Sequence, residues 1–227
     1  MSNAHVQHEL QKKEVLLLLS YHAELHESRT KSERASRGRR SSELEVLHKS
    51  AIVLLTACWE AYIENIVTEA TTILAGSLKD PLVLHEGLRR AVAATKSAKL
   101  SVSSKNELYP WYFVGDGWRS LLLEFSKFKI SELNTPDSSG VRRVMNELLG
   151  ITDISQSWGR PGKAAADAAD RLDEYLSDRP VIAHGATPLK KFSKSYVKKY
   201  LAFLDITVQK TDEAVSNRLK SLGLAIP

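Results

Sequence analysis

Residues 51–67 read Ala51-Ile-Val-Leu-Leu-Thr-Ala-Cys-Trp-Glu-Ala-Tyr-Ile-Glu-Asn-Ile-Val67 and are apolar on nearly every face when wound into an α-helix. Members of the main apolar stripe recur every three or four residues, which is helical spacing. They are Leu44, Leu47, Ala51, Leu54, Cys58, Tyr62 and Ile66. A helix that is apolar all round must be enclosed by other elements. The pattern therefore predicts a long central helix over about 43–75.

Two further long helices are predicted on either side of this one, over about 7–28 and 193–221. The apolar positions of the last one are spaced almost like heptads, which favours packing along another long helix in this chain or in a second copy. Those positions are Val197, Leu201, Leu204, Val208, Val215, Leu219 and Leu222.

The middle of the chain predicts shorter helices separated by turns. The expected helices cover 81–100, 116–133, 141–149 and 164–176, with an irregular aromatic connection over 101–115 and turns at 134–140 and 158–162. No run alternates as a β-strand does. We expect an all-α protein: a single domain over 1–227, built as an antiparallel helical bundle with a short-helix insertion over about 80–160.

The composition is that of an ordinary globular protein with a formal net charge of +5. Positive charge is concentrated in 29–40 and 179–199. The single cysteine, Cys58, allows no internal disulfide, which fits a reducing compartment, and its helical spacing makes it a core residue rather than a nucleophile. The apolar run Val15–Leu19 is too short to span a membrane. We expect a cytoplasmic protein without a membrane association.

The stretch Asp178-Arg-Pro-Val-Ile-Ala-His-Gly185 combines a strong cation, an imidazole and two residues that control the backbone. Pro180 disfavours helical geometry at Arg179 and suits the start of a helix. We therefore expect Arg179 at a corner between the Ala-rich helix and a short new turn that Gly185 ends. His184 lies one turn after Pro180, so both side chains are expected in one crevice.

Arg179 and His184 suffice chemically for metal-free cleavage of RNA. A histidine moves protons near neutral pH, and an arginine grips phosphate oxygens with a fork of donors. The stretch 179–204 contains no carboxylate, which favours a phosphate-bearing partner. The lysines expected to contact RNA are Lys190, Lys191, Lys194 and Lys198.

Other chemistries lack their sequence signals. No Gly-rich phosphate loop precedes a helix, and the histidines show no H-E-x-x-H spacing. We expect no metal site and no cofactor; the pair His22 and His26 fits a half-exposed helix face better than a metal site. Glu60 and Glu64 interrupt the central helix one turn apart. Glu60 faces either solvent, or a polar site or another subunit, and the spacing alone leaves these alternatives open.

Three segments resemble the HEPN superfamily, in particular its RiboL-PSP and MAE_28990-like branches. Residues 179–185 are similar to its R-x4–6-H signature, residues 55–64 to its second helix, and residues 134–151 to the segment between them. The resemblance implies a helical dimer in which two such motifs share a cleft. It also implies metal-independent endoribonuclease activity in toxin–antitoxin or phage-defence settings.

Carried over by position, the resemblance makes Arg179 and His184 the catalytic pair and places Glu60 near the cleft, where we count it with the catalytic residues. Pro180 departs from the family, where Asn is common at this position. The alternative is a non-catalytic module that binds RNA or a protein such as a nucleotidyltransferase-type antitoxin. In that case Arg179 would be a structural ion-pair partner of Asp178 or Glu60, and His184 a satisfied core residue.

Overall fold

The computed structural model of the chain describes residues 1–30, 37–100, 115–159, 164–184 and 192–224, and these contain α-helices, two short 3₁₀ turns and no β-strand. The helices are α1 (Asn3–Thr30), α2 (Arg37–Ser77), α3 (Glu86–Leu100), α4 (Gly117–Ser131), α5 (Ser138–Leu149), α6 (Ala165–Ala183) and α7 (Lys194–Ser221). The 3₁₀ turns cover Pro81–Val83 and Ile154–Trp158. The predicted all-α class and the three long helices are confirmed.

Helix α2 is the central element of the bundle and packs against α1, α4, α5, α6 and α7. Its aromatic side chains are buried, and their polar atoms have partners. Trp59 Nε1 donates to the Pro136 carbonyl at 2.8 Å, and Tyr62 Oη donates to the Val208 carbonyl at 3.0 Å. These bonds avoid the cost of unpaired polar groups in a core. The predicted central helix is therefore confirmed.

By length and hydropathy, the segment Glu45–Ser77 of α2 is apolar enough to cross a membrane. The core helix of a globular bundle can have the same length and hydropathy as a membrane-spanning helix. Trp59, Ile63, Ile66 and Val67 are fully buried against neighbouring helices, so burial within the bundle accounts for this hydropathy.

The short helix α5 shows how local sequence sets helix ends. It begins at Ser138, earlier than expected, because the Asp137 carboxylate accepts a hydrogen bond from the Gly140 amide at 2.6 Å and caps the helix. It ends as predicted at Gly150, whose φ of 69° is the left-handed conformation that glycine tolerates.

Helix α6 corrects the expectation at Pro180. The predicted corner at Arg179 does not form, because the helix continues through Pro180 to Ala183 and His184 is its C-cap. Pro180 cannot donate a hydrogen bond to Leu176. The contacts that the preceding turn makes with α2 and α7, through Arg179 and Asp178, outweigh the loss of this hydrogen bond. The expected turn end at Gly185, the aromatic connection over 101–114 and residues 160–162 lie outside the described residues.

Candidate functional site

Helices α2, α6 and α7 meet around Arg179, which lies in the last turns of α6. Arg179 Nη1 donates to Glu60 Oε1 on α2 at 2.8 Å. The Arg179 side chain remains 39 % exposed, whereas that of Glu60 is 15 % exposed. Of the environments that the sequence leaves open for Glu60, the structure shows a polar one, an ion pair with Arg179, and part of the guanidinium stays accessible to solvent.

The Glu60 carboxyl lies in a mixed electrostatic environment. Burial raises its pKa, the charge of Arg179 opposes that rise, and nearby Glu64 adds to it, so that the pKa remains above the ordinary value. A hydrogen bond from the Thr135 side chain also lowers the pKa slightly. Burial makes the charged form of Glu60 unfavourable, and the positive charge of Arg179 offsets part of that cost. The carboxylate therefore depends on Arg179 as its partner.

Thr135 is a site residue that sequence reasoning missed. It belongs to the turn between α4 and α5, and Trp59, the neighbour of Glu60, donates a hydrogen bond to the next residue of that turn, Pro136. The turn itself is predicted from the sequence, but its position against α2 depends on this tertiary bond. The closest sequence signal is the turn at 134–140.

Asp178 anchors the same turn of α6 to α7. Its side chain is buried and accepts a hydrogen bond from Tyr196 Oη at 2.5 Å. Burial, the hydrogen bond to Asp178 and the charge of Asp178 raise the pKa of Tyr196, which therefore stays a neutral donor. Tyr175 stacks on Tyr200 with ring centroids 4.3 Å apart and meets Tyr196 edge-on at 5.3 Å. These contacts hold the turn of α6 that precedes Arg179 against α7.

His184 is exposed at the end of α6, and its backbone amide donates to the Pro180 carbonyl at 3.0 Å. It is therefore not the buried core residue of the binding-module alternative, although the Arg179–Glu60 ion pair of that alternative is present. In a continuous helix, five residues of separation turn side chains about 140° apart. Within one chain, Arg179 and His184 thus leave the helix in different directions, contrary to the expected shared crevice.

The first two turns of α7 carry basic residues close to the end of α6. Lys194 is half-buried and Lys198 is exposed; they are four residues apart and so share one helix face. His48 of α2 also lies here, with Nδ1 2.9 Å from the Phe192 carbonyl. Burial lowers the pKa of His48, and the charge of Lys194 contributes. The expected Lys190 and Lys191 lie outside the described residues.

An open, mostly apolar groove of about 590 Å³ lies beside the motif. It is lined by α1, α2 and the end of α6 through Leu18, Val46, Lys49, Ser50, Val53, Leu54 and Ile182. Ile182 belongs to the stretch between Arg179 and His184, so the groove adjoins the candidate site.

Two further groups bear on reactivity. Cys58 is buried, and burial raises its pKa to about 11, so that it stays a thiol, as expected of a core residue. One group of possible metal ligands, His8, Glu9 and Asp205, comes together between α1 and α7. Nothing in the sequence spacing indicates it, because Asp205 is far from the other two in the chain.

A comparison with known protein families shows which family the chain belongs to. The RiboL-PSP-HEPN profile matches residues 13–217, which is most of the chain and includes Glu60, Arg179 and His184. The chain belongs to the RiboL-PSP-HEPN family. No curated protein and no solved structure matches it. Membership confirms the HEPN resemblance found in the sequence and agrees with the all-α bundle.

Proposed function

We propose that this RiboL-PSP-HEPN protein is a metal-independent endoribonuclease that acts as a homodimer. The observation that carries the proposal is the half-exposed Arg179, fixed by Glu60 and followed at the end of the same helix by the exposed His184. A purely structural ion pair between Arg179 and Glu60 would not account for the exposed histidine at the end of the same helix. Family membership supports a ribonuclease or a nucleotide-binding module.

In the proposed reaction, the ribose 2′-oxygen attacks the adjacent phosphorus while the bond from phosphorus to the 5′-oxygen breaks. An imidazole takes the proton from the 2′-OH, and an imidazolium gives a proton to the leaving 5′-oxygen. Arg179 stabilises the negative charge that grows on the phosphoryl oxygens. Glu60 orients the guanidinium through the 2.8 Å bond. The products are a 2′,3′-cyclic phosphate and a 5′-OH.

Two copies of the chain are needed for this chemistry. One copy offers a single His184, and its direction differs from that of Arg179, whereas a two-fold axis beside the end of α6 would supply two of each residue. Exposed apolar side chains on the helices that line the groove support such a contact; they are Leu17 and Tyr21 on α1 and Val46 on α2. The expected solution mass is twice 25.3 kDa.

The lysines at the start of α7 are proposed to hold the RNA backbone. Their charge complements phosphate, and the N-terminal end of a helix adds a favourable dipole. The same proposal extends to Lys190 and Lys191 in the sequence. We place the activity in the cytoplasm, in a toxin–antitoxin or phage-defence setting in which a cognate antitoxin protein is a candidate partner.

The test uses purified full-length protein and end-labelled single-stranded RNA, with and without EDTA. Cleavage should persist in EDTA, leave a 2′,3′-cyclic or 3′-phosphate, and spare DNA of the same sequence. Cleavage that stops in EDTA, while circular dichroism shows the protein still folded, would refute the mechanism.

The second candidate is a non-catalytic module that binds RNA or a partner protein, and the Arg179–Glu60 ion pair favours it. If the protein binds RNA but leaves it intact at every pH tried, and is indistinguishable from His184→Ala, this second function replaces the first.

A further inference from the structure

A second cluster of charged and imidazole side chains lies between α1 and α7. Lys12 Nζ contacts Glu9 Oε1 at 2.6 Å and Asp205 Oδ1 at 3.0 Å. One ligand atom from each of His8, Glu9 and Asp205 lies within 4.8 Å of the other two. His5 Nε2 is 4.0 Å from the same Glu9 oxygen. Histidines and carboxylates are thus gathered around a position where a cationic group already sits.

His8 stands out because it is buried without a hydrogen bond. It is 1 % exposed, and among the described residues neither ring nitrogen has a hydrogen-bond partner. Tyr62 meets the ring edge-on at a centroid distance of 5.8 Å. Buried polar atoms normally have partners, so an orphaned imidazole beside two carboxylates needs an explanation.

We propose that His8, Glu9 and Asp205 form a binding site for a divalent transition-metal cation, best matched by Zn²⁺, that clamps α1 to α7. An imidazole nitrogen with carboxylate oxygens suits Zn²⁺ and similar ions, whereas Mg²⁺ and Ca²⁺ prefer oxygen ligands alone. His5 lies beside this group, with its Nε2 4.0 Å from Glu9 Oε1.

Binding requires side-chain shifts of the three ligands and displacement of the Lys12 ammonium, which lies 2.6 Å from Glu9 Oε1 and 3.0 Å from Asp205 Oδ1. Ligands bind Zn²⁺ at about 2 Å, so closing the 4.8 Å spacing needs side-chain shifts on the order of 1 Å. The Glu9 and Asp205 side chains are 43 % and 38 % exposed, which leaves a path from solvent. Lys12 competes with the cation, because its ammonium neutralises the same two carboxylates.

The cluster lies largely outside the part of the chain that the family comparison covers. His5, His8, Glu9 and Lys12 all precede residue 13, where the match begins. The cation is therefore proposed as a structural element of this chain, independent of the proposed ribonuclease chemistry at Arg179 and His184.

The experiment titrates chelator-treated, EDTA-free full-length protein with Zn²⁺, and with Mg²⁺ in parallel, by calorimetry and by thermal unfolding. Zn²⁺ should bind one equivalent and raise the melting temperature with concentration, and Mg²⁺ should do neither. Cobalt loading should give visible absorption bands. Removal of a ligand in Asp205→Asn or Glu9→Gln should weaken Zn²⁺ binding by about 10–100-fold or more.

Lys12→Met removes the competing ammonium and should tighten Zn²⁺ binding. The unpaired carboxylates could destabilise the fold of this variant. Lys12→Gln is therefore made alongside it, because the amide still donates a hydrogen bond to the carboxylates. Glu213→Gln is the matched control, because Glu213 is another carboxylate on α7 paired with a lysine, Lys210. It should bind Zn²⁺ as the wild type does. Absence of saturable Zn²⁺ binding, or equal affinity in wild type, Glu9→Gln and Asp205→Asn, would overturn the proposal.

Discussion

Two regions of the molecule contain a histidine, a carboxylate and a strong cation, and they differ in which of these is buried. At the end of α6, His184 is exposed and Arg179 is held half-exposed by Glu60. Between α1 and α7, His8 is buried and Lys12 contacts Glu9 and Asp205. The same residue types face solvent in the first region and lie against another helix in the second.

Burial decides the chemistry available to each region. An imidazole in contact with solvent can exchange protons with a bound substrate. A buried neutral imidazole cannot do so, but it can bind a metal or fill the core. The first region is therefore the one that we propose for catalysis, and the second is the one that we propose to hold the N-terminal helix in place.

The largest expected effect separates the two histidines. His184→Ala should lower the RNA cleavage rate by about 10²–10⁴ and change stability little, because the side chain is exposed. His8→Gln should do the reverse: it should lower the melting temperature and leave the cleavage rate of the folded protein unchanged. Cleavage rates at saturating RNA and thermal unfolding of both variants test this. A large drop in the stability of His184→Ala would contradict the distinction between the regions.

Arg179→Ala should lower the cleavage rate by about 10²–10³, and mixing it with His184→Ala tests whether the site is shared between copies. Neither variant alone should cleave efficiently. After joint unfolding and refolding, heterodimers contain one intact Arg179 and one intact His184 on different chains, and cleavage should partly return. If heterodimers form and activity stays at the level of the single variants, one Arg179 and one His184 on different chains do not make a working site.

The long helices were predictable because their apolar positions recur at helical spacing over many turns. Residues 51–67 specify a buried helix regardless of what surrounds it, and the structure confirms this. Local signals also sufficed for the end of α5, where Gly150 takes the left-handed conformation. Such features depend on residues close in the chain.

The prediction for the end of α6 is wrong because the local preference of Pro180 is outweighed by distant contacts. The bond from Tyr196 to Asp178 and the ion pair from Arg179 to Glu60 hold the turn that precedes Pro180 in helical form. Glu60 could be singled out as an interruption of an apolar helix. Thr135 and the cluster at His8 could not, because only packing brings these residues to their partners.

The buried histidines should make stability depend on pH. Burial is the main cause of the lowered pKa of His8, His48 and His85. Each histidine has an ordinary pKa of 6.5 when unfolded, so its contribution is present above that pH and disappears as pH falls through the folded pKa. Each proton taken up on unfolding changes stability by about 1.4 kcal/mol per pH unit.

Urea unfolding at pH 7.5 and 5.5 should therefore show lower stability at pH 5.5. His85→Gln should reduce this difference, since it removes one of the three groups while leaving the region around Arg179 unchanged. A stability that is equal at both pH values, or higher at pH 5.5, would contradict the assignment of these imidazoles as neutral in the fold.

The smallest expected effect concerns the lysines at the start of α7. Replacing Lys194 and Lys198 with alanine should weaken RNA binding several-fold at low salt. It should also reduce the slope of log affinity against log salt by about 0.7 for each phosphate that a lysine no longer neutralises. Cleavage at saturating RNA should change little, because these side chains bind the substrate and take no part in proton transfer. Lys210→Ala is the matched control: it removes one charge from the same helix, at a lysine paired with Glu213, and should leave the slope unchanged. Fluorescence anisotropy with a labelled RNA at three salt concentrations measures both quantities. Equal slopes for the double variant and the wild type would place the RNA path elsewhere on the protein, even if the dependence on His184 and Arg179 holds.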